Sequence, residues 1–244
     1  MFEELRPHLA ELRKRLLVSI AVFFIAFIVS FGFWEEILDW VIAPLKAVLP
    51  EGSKVIFTHP LEAFFTALKV SFFAALICSL PAIFWQLWLF IAPGLYEHEK
   101  KLILPFVISG SVMFVLGALF AYYIVFPFGL NYLMNFASDQ FVAMPKANEY
   151  ATFFIKMMFG FGLAFELPVI TFFLAKLGLV TDESLRSFFK YAIIVIFAIA
   201  ALLTPPDILS QLLMAGPLII LYGVSILIAR LVNPAQKDDD DGSA

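Results

Sequence analysis

Glu11 lies in the stretch HLAELRKRLL, between His8 and the cations Arg13, Lys14 and Arg15. A carboxylate that faces water from such a setting can accept a bidentate pair of hydrogen bonds from a guanidinium. Glu97 and Glu99 repeat the arrangement in YEHEKKL, beside Lys100 and Lys101. A fourth acid, Glu166, stands inside an apolar run next to Pro168, where a carboxylate either relays protons or hydrogen-bonds a neighbouring helix. Other chemistries are excluded. HEKKL has Leu102 where the second histidine of a zinc-protease helix must sit, and GFGLAF at Gly160 lacks the third glycine of a dinucleotide fingerprint. His8, His59 and His98 are widely spaced and there is no nucleotide-binding glycine loop. We therefore expect no enzyme, no metal and no cofactor, and nothing that points to nucleic acid.

The elements that must position these acids are membrane helices. Of 244 residues, 62% are hydrophobic and 15% charged, and 30 are phenylalanine, which is far from soluble-domain composition. Apolar runs predict six spans: Leu16 to Trp34, Val70 to Tyr96, Leu102 to an exit near Phe126 marked by Pro127 and Gly129, about Ala151 to Ala175 interrupted by Glu166, about Phe188 to Leu203, and Ile208 to Ala229. The fifth is short and stops at TPPD. Residues 1–232 are expected to form one all-α, six-helix membrane domain, and 233–244, with their run of four aspartates, an acidic tail outside the fold. An even span count puts both termini on one side. Basic residues concentrate there, at Arg6, Arg13, Lys14, Arg15, Lys100, Lys101, Lys176, Arg186, Lys190, Arg230 and Lys237, against Lys46, Lys54, Lys69, Lys146 and Lys156 opposite. Both termini should be cytoplasmic, with the longer connections folding into extracytoplasmic caps.

On a helical wheel Leu5, Leu9, Leu12 and Leu16 form one apolar stripe, with His8, Glu11 and Arg15 on one flank and Arg6 and Arg13 on the other. Two readings follow. The segment is an interfacial helix that grips anionic lipid, with Glu11 paired to Arg15 at i,i+4, or Glu11 is a receptor carboxylate open to a cationic peptide.

The order of motifs HLAELRKRLL, APL at Ala43, FIAPGLYEHEKKL at Phe90, FAYYIVFP at Phe120, FGLAFELPV at Phe161 and LLTPPDILSQ at Leu202 resembles the TatC family, the multispanning core of the twin-arginine protein translocase. The likeness runs from about Leu5 to Leu231. It implies a receptor in the bacterial or archaeal inner membrane for paired-arginine signal peptides on folded cargo. Such a receptor works with the single-span partners TatA and TatB and the proton-motive force, with self-association possible. By position, Glu11 and Glu99 fall on the family's recognition carboxylates, with Glu97 alongside, and Arg13, Pro44 and Phe90 on further sensitive positions. Glu166 falls on a buried acid of the fourth helix, and Thr204, Asp207 and Gln211 on polar positions where partner helices dock. Ala201 departs from the methionine of some relatives. The competing reading from another class is a proton-coupled small-solute transporter using Glu166, which the lack of an internal repeat weakens.

Overall fold

The computed structural model describes residues 2–49, 53–94, 100–135, 144–204 and 208–234. Lipid offers no hydrogen bonds to a backbone, so spanning segments must satisfy their own, and these fold into helices. The described residues form α1 (Phe2–Gly32), α2 (Trp34–Val48), α3 (Pro60–Ile91), α4 (Ile103–Phe120), α5 (Phe126–Asn135), α6 (Ala147–Lys176), α7 (Asp182–Leu203) and α8 (Ile208–Val232). Six segments are long and apolar enough to cross a membrane, with α4 and α5 joined in one of them. The six expected spans are all present.

Two faces can be told apart from the contacts. Ile56 N donates to Pro145 O at 3.1 Å and Ala147 N to Ile56 O at 3.0 Å, so α3 and α6 start together. We call this end the cap face, and it also holds α2, which follows the far end of α1. At the other end Arg15 reaches Gln86, late in α3, and Asn233 Nδ2 donates to Val180 O at 3.1 Å in the α6–α7 turn. The start of α1 and the end of α8 thus share this terminal face. α6 is the central post, buried along most of its length and packed on α3, α4 and α8. α1 leans mainly on α3, and most of its circumference is exposed to the surroundings. Gly117 lets α4 approach α6 closely: a Cβ there would lie 2.4 Å from Phe161 O, a backbone atom that no rotamer change can move.

Several boundaries differ from those expected. α3 begins ten residues before Val70, because Pro60 suits a first helical position and His59 caps the turn, accepting from Leu61 N at 3.3 Å. α7 begins six residues before Phe188, where Thr181 and Ser184 form a reciprocal cap. It remains the shortest candidate span, 22 residues against 25 to 35 for the others. The third span does not leave near Phe126. A π-turn over Ala121–Val125, in which Phe126 N bonds Ala121 O five residues back, widens the helix just before Pro127. Pro127 therefore falls in the first turn of α5, where its missing N–H is no loss, and the helix continues to Asn135.

Pro44 lies buried inside α2, on the cap face and away from Glu11. A proline leaves the carbonyl four residues back without its helical donor, here Trp40 O. Tyr122, projecting from the π-turn, donates its hydroxyl to Trp40 O at 3.1 Å and stacks on the Trp40 ring with centroids 4.3 Å apart. Tyr150 donates its hydroxyl to the next carbonyl, Val41 O, at 3.1 Å. The proline and the π-turn are thus two halves of one joint between α2 and the bundle. Tyr122→Phe, which leaves Trp40 O bare, should destabilise the protein by about 1–3 kcal/mol. In a Pro44→Ala background, where the helical donor returns, the same change should cost less than half as much. A double-mutant cycle of unfolding free energies checks this; equal costs in both backgrounds would refute it.

Candidate functional site

α1 is continuous from its charged start into the membrane span, so HLAELRKRLL is the first turns of a spanning helix and not a separate interfacial one. The leucine stripe faces outward, with Leu9, Leu12 and Leu16 exposed at 60, 43 and 56%. The flank that turns toward α3 is instead Glu11 and Arg15. Arg15 Nη2 donates to Glu11 Oε1 at 3.3 Å and Nη1 to Gln86 Oε1 at 3.4 Å, while Arg15 Nε is buried without a partner among the described residues. Both side chains of the ion pair keep partial exposure, 26% for Arg15 and 32% for Glu11. The two helices run antiparallel. Since Glu11 is one turn outward of Arg15 and Phe90 one turn outward of Gln86, Glu11 and the half-buried Phe90 sit at similar height on the terminal face. His8 and Arg13 are exposed on α1. Glu97, Glu99 and Asp207 lie outside the described residues, so the structure does not speak to the expected pairing of Glu11 with Glu99.

Glu166 is turned inward from α6, only 4% exposed. Gly110 of α4 makes room for it: a Cβ at 110 would stand 3.1 Å from Glu166 Oε2 and 3.2 Å from the Phe84 ring of α3. Both carboxylate oxygens are buried and accept no hydrogen bond from any described group. The acid is thus neither on the lipid face nor in the open groove on the other side of α6. That groove, of about 480 Å³, lies between α6 and α7 and is lined by apolar residues such as Leu163, Leu167, Val195 and Ile199. It exists because α7 packs mainly on α8.

At the cap face two of the expected polar residues shape the α7–α8 hairpin, one ending α7 and one crossing between the helices. Thr204, buried, ends α7 with its Oγ1 donating to Ala200 O at 2.8 Å. Gln211 Nε2 crosses from α8 to Phe197 O at 3.1 Å.

A second buried acid escaped the sequence reading. Glu62, 8% exposed, accepts from Thr58 N at 2.7 Å, Thr58 Oγ1 at 3.0 Å and Asn148 N at 3.3 Å, joining the starts of α3 and α6. Taking the span from its uncharged run at Val70 left Glu62 in a connection. THPLE carried the signal, with a proline opening a helix and an acid in its first turn.

This arrangement defines a class: a polytopic helical membrane protein whose charged groups among the described residues gather toward the two faces, with Glu166 buried on its central helix. Comparison with known proteins narrows it. The profile of the family described as Sec-independent protein translocase protein (TatC) matches residues 7–217. The chain is 56% identical over 241 residues to the Sec-independent protein translocase protein TatC of Helicobacter pylori, covering 99% of this chain and 94% of that one. It is 55% identical to that of Campylobacter jejuni, covering 98% and 99%, and 38% identical to that of Aquifex aeolicus, covering 96% and 98%. A crystal structure described as the twin arginine translocase receptor TatC superposes with a TM-score of 0.85 at 38% identity, covering 92% of this chain and 99% of that one. The chain belongs to the TatC family. It is a multi-pass membrane subunit of the twin-arginine protein translocation system, a transport protein and not an enzyme. The small-solute transporter reading falls with that membership.

The two buried acids should respond oppositely to substitution. Glu62→Ala removes three hydrogen bonds to a carboxylate and should lower the unfolding free energy in detergent. Glu166→Gln removes none, and relieves the burial of an unpartnered acid, so unfolding in detergent should shift by less than about 0.5 kcal/mol or toward greater stability. A large loss at Glu166→Gln would mean that the carboxylate holds a partner it needs.

Proposed function

We propose that the chain is the receptor of its translocase, binding twin-arginine signal peptides of folded proteins at the terminal face, which lies in the cytoplasm by the distribution of Lys and Arg. The observation that carries this is the state of Glu11. It lies on the flank that faces the end of α3, at the height of Phe90, and its partner Arg15 is in the same helix at 3.3 Å. A partly exposed i,i+4 pair of this kind is worth only about 0.3–0.5 kcal/mol. An incoming guanidinium offering two parallel N–H donors can therefore take the carboxylate over at small cost. Arg15 retains Gln86 when it lets go. Glu99, with Glu97 as reserve, supplies the second carboxylate, and Arg13 and His8 line the approach.

Partner recruitment is assigned to the other end. TatA and TatB, each a single span, dock at the α7–α8 hairpin around Thr204, Asp207 and Gln211 and along the apolar groove between α6 and α7. The apolar part of α7, Phe188 to Leu203 with only Lys190 charged near its start, is about 24 Å long at 1.5 Å per residue, shorter than a hydrocarbon core of roughly 30 Å, so lipid there is thinned. The apolar stripe of α1 faces lipid or a second copy. Transport draws on the proton-motive force, and the localisation is the bacterial or archaeal inner membrane with both termini cytoplasmic.

The test is peptide affinity. Glu11→Gln and Glu99→Gln should each weaken twin-arginine peptide binding about ten-fold to a hundred-fold, the loss of one charge-assisted contact of about 1.5–3 kcal/mol. The double variant should bind twin-arginine and twin-lysine peptides alike. Unchanged discrimination by folded Glu11→Gln would remove α1 from the site.

A further inference from the structure

Lys69 of α3 and Lys156 of α6 take no part in peptide recognition or partner docking as assigned above, yet each lies nine residues into its span, about 14 Å along the helix from the cap face. A lysine at such depth has to reach back toward the interface. Both helices start at the cap face, and side chains tilt toward a helix's N-terminus. Lys69 does reach back: its Nζ donates to Asn148 Oδ1 at 2.7 Å and Thr152 Oγ1 at 2.9 Å, in the first turns of α6. These acceptors are neutral, so they hold the ammonium without cancelling its charge. Lys156, one turn below Thr152, is exposed and has no partner among the described residues. The carboxylates in the first turns of α3 and α6 are engaged elsewhere, Glu62 with Thr58 and Asn148 N, and Glu149 with Lys146 at 3.3 Å.

Between the two lysines runs an open groove of about 380 Å³, walled by Leu68, Phe72 and Ile155 with Thr152 at its rim. Two cations above apolar walls, inside a membrane span and facing outward, have the polarity of one molecule: a phosphate on a hydrocarbon tail. The geometry points to a site for one anionic phospholipid of the cap-face leaflet, its phosphate between Lys69 and Lys156 and an acyl chain along Phe72 and Ile155. Charge complementarity selects the occupant. A zwitterionic lipid brings its own cation to a site that already has two, and an apolar partner helix would leave Lys156 facing hydrocarbon.

The experiment uses the full chain, purified in detergent, with phosphatidylglycerol and phosphatidylcholine titrated separately and bound lipid counted by native mass spectrometry. The wild type should retain one phosphatidylglycerol at least tenfold more tightly than phosphatidylcholine. Each lysine should contribute about fivefold, the effect of about 1 kcal/mol per cation at an anionic lipid surface. Lys156→Gln should lose that factor, Lys156→Arg should keep it, and Lys69→Gln with Lys156→Gln should bind both lipids equally. Lys176→Gln with Lys190→Gln, on the terminal face, should change nothing. Equal retention of the two lipids by wild type, or unchanged preference in folded Lys156→Gln, overturns the site. So does displacement by inorganic phosphate alone, which would make it a free-anion site. If the variants keep phosphatidylglycerol but lose copurifying single-span subunits, the groove holds an acidic side chain of a partner helix and the lipid assignment is wrong. Should the double variant fail to fold, Lys156→Gln decides, since that side chain makes no described contact that folding needs.

Discussion

An ionised side chain at the centre of a bilayer costs about 2.5–3.5 kcal/mol on insertion scales, and an unpaired backbone group there costs several. With so apolar a chain, that constraint determines where every polar group can stand. It explains why Glu62 is wrapped in donors from Thr58 and Asn148. It explains why Lys69 climbs toward the cap face, and why Tyr122 and Tyr150 bring their hydroxyls to carbonyls of α2 beside Pro44. Each is a polar group satisfied locally, and each satisfaction joins two elements that apolar packing alone would let slide.

The consequence is an asymmetric molecule. The cap face is tied by the Ile56–Lys146 bridge, the Glu62 network, the α2 joint and the Gln211 bond to Phe197 O. On the terminal face, α1 is held to α3 by packing and a partly exposed Arg15, which shares its guanidinium between Glu11 and Gln86. Local openings draw on the regions with the fewest buried contacts. The asymmetry suits the proposed role, in which a peptide enters at one end while the helices keep their register at the other. Glu166 sits between the two regimes, on the central helix, the one buried acid among the described residues whose oxygens accept nothing from the protein.

The number of spans was legible because hydrophobic run length is dictated by the bilayer. Helix ends were less so. An uncharged run marks what lies in hydrocarbon, whereas a helix begins where a cap allows, and so α3 and α7 start upstream of their runs at His59 and Thr181. Pro127 read as a stop because an interior proline costs a helical hydrogen bond and crowds the preceding turn; the π-turn before it places it in a first turn instead, and no local residue pattern announces such a turn. At the site, the pairing of Glu11 with Arg15 could be read from spacing. Which flank of α1 meets α3 could not, because in lipid a leucine stripe gains nothing by turning inward. Polar contact with Gln86 and the Phe23–Phe72 ring contact, centroids 4.8 Å apart, go with the orientation that is found.

The central claim is that the start of α1 and the end of α3 form one peptide-reading surface on the terminal face. The most direct measurement places a photoreactive residue next to the arginine pair of a signal peptide and maps the adducts on the purified translocase. The account predicts adducts in two segments together, His8 to Arg15 on α1 and Gln86 to Ile91 on α3, both suppressed by excess twin-arginine peptide and not by its twin-lysine counterpart. Adducts confined to the groove between α6 and α7, or to α2 and the cap face, would contradict it.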